Sequence, residues 1–275
     1  MSTLISHAET AAPLAALLPA RRGVPWTVEP APQLIRAGGA MSRLVQGNRA
    51  LDVVELGGRV EVYADRDSMA PVAPDVVVTE TGPDPVAELS ALVLRIVLPR
   101  MDREAARATR SAHGRDQVVI DTTADLNEIG FSLIDHGAHL DVVAHPDGVG
   151  LTWTLDNGAE WGLWAITSTG NLTVSYEGPV SGLYGVLPVL LPAAGPAGSD
   201  DVGSGFTRHL TDRFPQVRAV DAHSVEFGHH DDVNGYIALP ASDEPATGAD
   251  SSRRVAAHFA NVGADLLLSL APLLI

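Results

Sequence analysis

The stretch LDVVAHPDGVGLTWTLDNGAEWGLWAITSTGNLTVSYEG, residues 140–178, decides the fold. Three turn signals divide it: Pro146-Asp147-Gly148, Asp156-Asn157-Gly158 and Ser168-Thr169-Gly170-Asn171. Asn-Gly and Asp-Gly suit tight hairpin turns because they tolerate the positive φ that matches the right-handed twist of the flanking strands. The runs between them are short and rich in β-branched and aromatic residues, so the spacing predicts four antiparallel strands in a meander. Val149, Leu151, Trp153 and Leu155 alternate with Gly150, Thr152 and Thr154, and Leu172, Val174 and Tyr176 repeat the period. One face is therefore buried and the other is wet or lightly covered. The same parity puts Trp161 and Trp164 on opposite faces. At least one tryptophan then lies away from the main core, where it caps a groove or packs under a helix.

Outward from the meander, Val53–Leu56, Gly57-Gly58 and Val60–Ala64 read as a hairpin, and Asp75–Thr81 as a further strand. A helix starts at Asp84-Pro85, with aspartate as N-cap and proline at the first helical position. Val86, Leu89, Leu92, Val93, Ile96 and Val97 then follow at spacings of three and four. Pro99 is expected to kink or end it, with Met101–Arg110 as a charged continuation. Residues 111–117 read as a linker and Val118–Ile120 as a short strand, with a loop or turn of helix leading to Ile129–Ile134. Gly185–Pro192 reads as an edge strand or docking segment and Phe206–Phe214 as a helix. Strands are expected near 219–227 and 235–239, with a long final helix from Ser251. The runs VEVYADRD from Val60 and VEFGHHDD from Val225 each lead into an acidic Pro/Gly loop and an apolar helical pattern, which suggests a pseudo-duplicated molecule.

These elements predict an α+β fold: a mainly antiparallel sheet with a central meander and long helices on one face. The expected segments are an N-terminal helix and extended stretch (1–40), a strand–strand–strand–helix unit (41–115), the meander (116–192), a small-residue linker (193–205) and a strand–strand–helix unit (206–275). All of them fit within one domain as well.

Composition narrows the chemistry. The 275 residues can bury a substantial core without disulfides, and the lack of cysteine excludes thiol catalysis, cysteine-ligated zinc and iron–sulfur clusters. All 18 basic residues are arginine, which removes Schiff-base lysines and the P-loop lysine. A net charge of −16 repels phosphate backbones and favours basic or apolar partners. Arg95, Arg100, Arg103, Arg107, Arg110 and Arg115 cluster among Asp102 and Glu104, as on a solvated helix face. The N-terminus lacks the basic start of a signal peptide, and no window reaches the roughly 18 uninterrupted apolar residues of a membrane span. A cytoplasmic location with no membrane partner is the expectation.

Two histidine–carboxylate clusters are candidates for metal chemistry: His139 and Asp141 in the first, His229 and Asp231 in the second. Imidazoles and carboxylates in such density suit zinc, manganese or iron. Adjacent residues on a strand point to opposite faces, however, so His229 and His230 do not readily share one ion. No nucleophile elbow, dinucleotide fingerprint or phosphate loop is present. The leading expectation is thus a non-catalytic acidic binding or assembly protein of chaperone-, adaptor- or immunity-like character. It would recognise a protein partner or a second copy of itself, with no cofactor and no nucleic acid. The candidate contact residues are Trp164 in the meander and Leu267, Leu270 and Leu274 in a C-terminal segment apolar nearly all round. The alternative is a metal-dependent hydrolase built on the His/Asp clusters.

Overall fold

The computed structural model describes residues 9–31, 39–64, 73–145, 148–166, 171–191, 205–228, 232–240 and 252–275. They form two compact units, Met1–Met101 and Asp102–Ile275, in an α+β arrangement with two antiparallel sheets.

The first unit carries helix α1 (Ala11–Leu17) and a five-stranded meander: β1 (Thr27–Pro30), β2 (Ala40–Gln46), β3 (Arg49–Glu55), β4 (Arg59–Ala64) and β5 (Val76–Thr79). Gly57 and Gly58 take φ of +60° and +83°, as the two-residue β3–β4 turn requires. Pro13 sits in the first turn of α1, where a missing N–H costs nothing. Helix α2 (Pro85–Leu92) opens as expected, the Asp84 carboxylate accepting from the Ala87 N–H at 3.0 Å. Pro99 does not end the helical run. The preceding residues Val93–Val97 widen into a π-helical turn closed by the Leu98 N–H on the Val93 carbonyl, and α3 (Leu98–His113) continues from there. Adding one residue to the turn relieves the clash of the proline ring with the carbonyl four residues back. Arg95 is buried in this stretch while Arg107 and Arg110 are exposed, so the arginine cluster is not one uniform wet face.

The second unit is built on eight strands. The meander is present as read: β6 (Asp141–His145), β7 (Gly148–Thr154), β8 (Glu160–Ile166) and β9 (Asn171–Pro179). Beyond it come β10 (Val217–Ala219), β11 (Ser224–Phe227), β12 (Asn234–Ala238) and β13 (Arg254–Val262), in the order β10-β11-β12-β13-β9-β8-β7-β6. Strands from residues 116–192 and from 206–275 thus share one sheet. Its inner face is apolar row by row. Leu151, Leu163, Val174 and Phe259 are partners across β7, β8, β9 and β13, as are Trp153, Trp161, Tyr176 and Ala257 in the next row. Every one of these side chains is buried.

Four expectations are corrected. The segment read as a linker, a short strand and a loop or turn of helix is helical: residues 111–113 end α3, and α4 (Arg115–Asp135) begins after Gly114 and packs on β7 and β8. Its buried residues Val118, Thr122, Leu126, Ile129 and Leu133 recur at three and four, and the hydroxyls of Thr122 and Thr123 donate back to the carbonyls of Val118 and Val119 at 2.7 Å. Packing outweighs the low helix propensity of its β-branched residues. Gly130 lets the helix approach the sheet, since a Cβ there would lie 3.0 Å from Leu151 Cδ1. The long final helix is instead strand β13, with buried Val255, Ala257 and Phe259 at period two, followed by a short helix α7 (Ala264–Leu270). Pseudo-duplication fails with it, because among the described residues the run from Val225 leads to further strands and a short helix, not to a long one. Lastly, Gly185–Pro192 contains a helical turn, α5 (Leu187–Leu190), whose Leu187 and Leu190 are buried. Helix α6 (Gly205–Arg213) forms where a helix was expected, and it lies against β10 and β11.

Candidate binding face on the eight-stranded sheet

Residues paired directly across strands share a face, so the register alone assembles the second side of the sheet. One row crosses all eight strands: Asp141, Thr152, Gly162, Ser175, His258, Tyr236, Glu226 and Arg218. A parallel row holds Val143, Gly150, Trp164 and Thr173, and another Thr154, Glu160, Glu177 and Ala256. This outer face is polar and small-residue rich, and most of its side chains are half-buried or exposed. It contrasts with the continuous apolar inner face.

Two aromatic groups stand on it. Trp164 lies flat over Gly150 and Gly162: a Cβ on Gly150 would fall inside the indole, and one on Gly162 would meet Nε1 at 3.0 Å. Its Nε1–H points to the Ser175 hydroxyl at 3.4 Å. The two glycines therefore form a seat for one large side chain on the face opposite Trp161, as parity requires. Across the sheet, the exposed ring of Tyr236 stacks on His258 at 5.6 Å with an interplanar angle of 10°. Burial holds the His258 imidazole below its ordinary pKa.

Besides Asp141 on β6, the carboxylates on the face divide into two groups. Glu226 pairs with Arg218 on the neighbouring strand. Glu160 and Glu177 lie directly opposite one another on β8 and β9, both exposed. Like charges in that relation repel. Beside Trp164, the Thr173 hydroxyl is buried without a hydrogen-bond partner.

The remaining predicted residues are placed as follows. Leu267, Leu270 and Leu274 are all buried within the chain, each 1% exposed, so the surface near the C-terminus is made by Leu273 and Ile275. His139 and Asp141 are exposed, the first in the turn after α4 and the second on edge strand β6. His229 and Asp231 lie outside the described residues, and among the described residues no group of three or more His, Asp or Glu is placed to hold a metal ion. Upstream, Asp221 accepts from the His223 N–H at 2.7 Å and the Ser224 hydroxyl at 2.9 Å; the His223 N–H first, then the hydroxyl, keep its carboxyl below the usual range.

Sequence reading missed a cluster on α6. The Tyr184 hydroxyl lies 2.8 Å from His209 Nε2, and the Arg213 guanidinium sits 4.4 Å above the Tyr184 ring. Burial raises the phenol pKa, with Arg213 opposing, so Tyr184 stays neutral at physiological pH. The i, i+4 spacing of His209 and Arg213 was legible, but Tyr184 joins them only through folding. No protein-family model, curated protein or solved structure matches this chain.

Proposed function

We propose that this is a non-catalytic binding or assembly protein that recognises a protein partner through the outer face of its eight-stranded sheet. The observation that carries the reading is the contrast between the two faces. The inner face is apolar and covered by helices, whereas the outer one presents hydroxyls, carboxylates and two aromatic groups over the whole width of the sheet. An aromatic-and-polar surface of this kind suits protein recognition, where a few large anchors sit among polar contacts. The charge of −16 supports a protein partner over a nucleic acid.

The reading extends to self-association and to the cytoplasm. Ile120, Phe131 and Ile134 share one exposed stripe of α4, away from its buried face, and Phe131 is 68% exposed. Together with exposed Leu273 and Ile275 they supply apolar area for a second copy. A cysteine-free chain agrees with a reducing compartment, and among the described residues no helix is long and apolar enough to cross a membrane.

Tagged full-length protein expressed in its own host tests the reading. A partner that co-elutes with wild type and with the off-face control Leu17→Asp, but not with Tyr236→Asp or Thr154→Arg, supports it. Co-elution indifferent to the two outer-face substitutions overturns it.

A further inference from the structure

Resting on the outer-face reading, we propose that the partner presents an extended basic segment: an arginine or lysine seated between Glu160 and Glu177, and an apolar side chain four residues along against Trp164. The charge pattern points to this occupant. Glu160 and Glu177 are cross-strand partners held on one face, and neither carboxylate has a hydrogen bond or ion pair among the described residues. On the same face Arg254 stands diagonally from Glu177, and it donates through Nη1 to the Gly158 carbonyl at 3.3 Å. A sheet does not gain stability from opposed like charges, whereas a guanidinium from outside would bridge both carboxylates.

A second observation marks the other end of the seat. Thr173, paired with Trp164, is 6% exposed, and its Oγ1 has no partner. That hydroxyl is closed to solvent as the indole stands, so the backbone of an incoming chain supplies its missing partner only as the Trp164 ring shifts. Thr173 and Glu177 are four residues apart on β9, about 13 Å at the rise of a strand. An extended peptide lying along β9 has the same rise, so its side chains at positions i and i+4 reach both places from one side. Asp141, exposed on β6, adds negative charge to the same face.

Isothermal titration of the full chain with short synthetic peptides tests the proposal. The probe carries arginine and, four positions later, leucine in a serine background; one control replaces the arginine by glutamate and another moves the leucine by one position. The probe is expected to bind with an affinity that falls as sodium chloride is added, and to bind at least about tenfold more weakly to the Glu160→Gln/Glu177→Gln variant. That variant removes a repulsion, so its Tm should not fall. No binding of the probe, equal binding of the glutamate control, or binding untouched by the double substitution overturns the proposal. So does a calcium-induced rise in Tm, abolished by the double substitution, in a protein that takes no peptide. If the host partner is lost in Tyr236→Asp yet retained in Glu160→Gln/Glu177→Gln, the docking face stands and the basic chemistry is rejected.

Discussion

The Trp153 indole donates its Nε1–H to the carbonyl of Leu274 at 2.9 Å, in a buried position and across 121 residues of sequence. Trp153 also stacks on Trp161 at 6.3 Å, and Trp161 packs against Tyr176 at 4.5 Å. The C-terminal segment is thereby fastened to the middle of the meander. Trp153→Phe keeps the ring but leaves the Leu274 carbonyl unsatisfied, which should cost about 1–3 kcal/mol in urea unfolding. A midpoint unchanged within error would show that another donor serves that carbonyl.

Removing residues 264–275 should abolish cooperative folding of the second unit. The deletion takes away Leu266, Leu267, Leu270 and Leu274, all buried, and uncovers the apolar faces of α4 and the sheet they pack against. Calorimetry of the truncated chain would show the second unit's transition missing. A surviving transition of normal enthalpy would contradict the packing.

Gly158 sits at φ +75° with open space around the position of a Cβ. Gly158→Val therefore meets no clash and is penalised by backbone conformation alone, by roughly 1–3 kcal/mol. Gly158→Asn should recover most of that loss, because asparagine tolerates the left-handed region. Equal melting temperatures for the two variants would argue against a conformational cause.

Gly150→Ala acts differently, since its methyl group would occupy the place of the Trp164 ring. The indole must lift from the sheet, so tryptophan emission should shift to the red and the fold lose stability by about 1–3 kcal/mol. The companion substitution Trp164→Ala should spare the inner core. A spectrum identical to wild type would mean that the ring does not rest on that glycine.

His258 gives the fold a pH dependence whose sign follows from its environment. Burial depresses its folded-state pKa below the ordinary value of 6.5, so between those two values the unfolded chain binds the extra proton. Stability should therefore fall as the pH drops below 6.5, and His258→Gln should flatten that part of the profile. A wild-type stability that rises as the pH drops below 6.5 would reverse the sign.

Self-association predicts a dimer by light scattering, converted to monomer by Phe131→Asp with the Tm preserved. A wild-type chain that remains monomeric at high concentration excludes the second copy.

Much of this protein was legible in local sequence. Period-two alternation with an Asp-Asn-Gly turn determined the meander, its register and the opposite faces of Trp161 and Trp164, and Gly57-Gly58 the β3–β4 hairpin, because side-chain direction in a strand depends on parity alone. Asp84-Pro85 likewise set the start of α2 through capping chemistry. Other features were decided by tertiary structure. Residues 115–135 carry β-branched runs and a glycine that argue locally against a helix, and only burial against β7 and β8 makes one. The Ala-rich segment 254–262 has helical composition, yet it is the strand that joins β12 to β9, because a central position in a sheet rewards its backbone hydrogen bonding. The outer face belongs to the same class. Glu160 and Glu177 are seventeen positions apart in sequence, and Tyr236 and His258 twenty-two; no periodicity relates such pairs, and they become neighbours only when the strands pair.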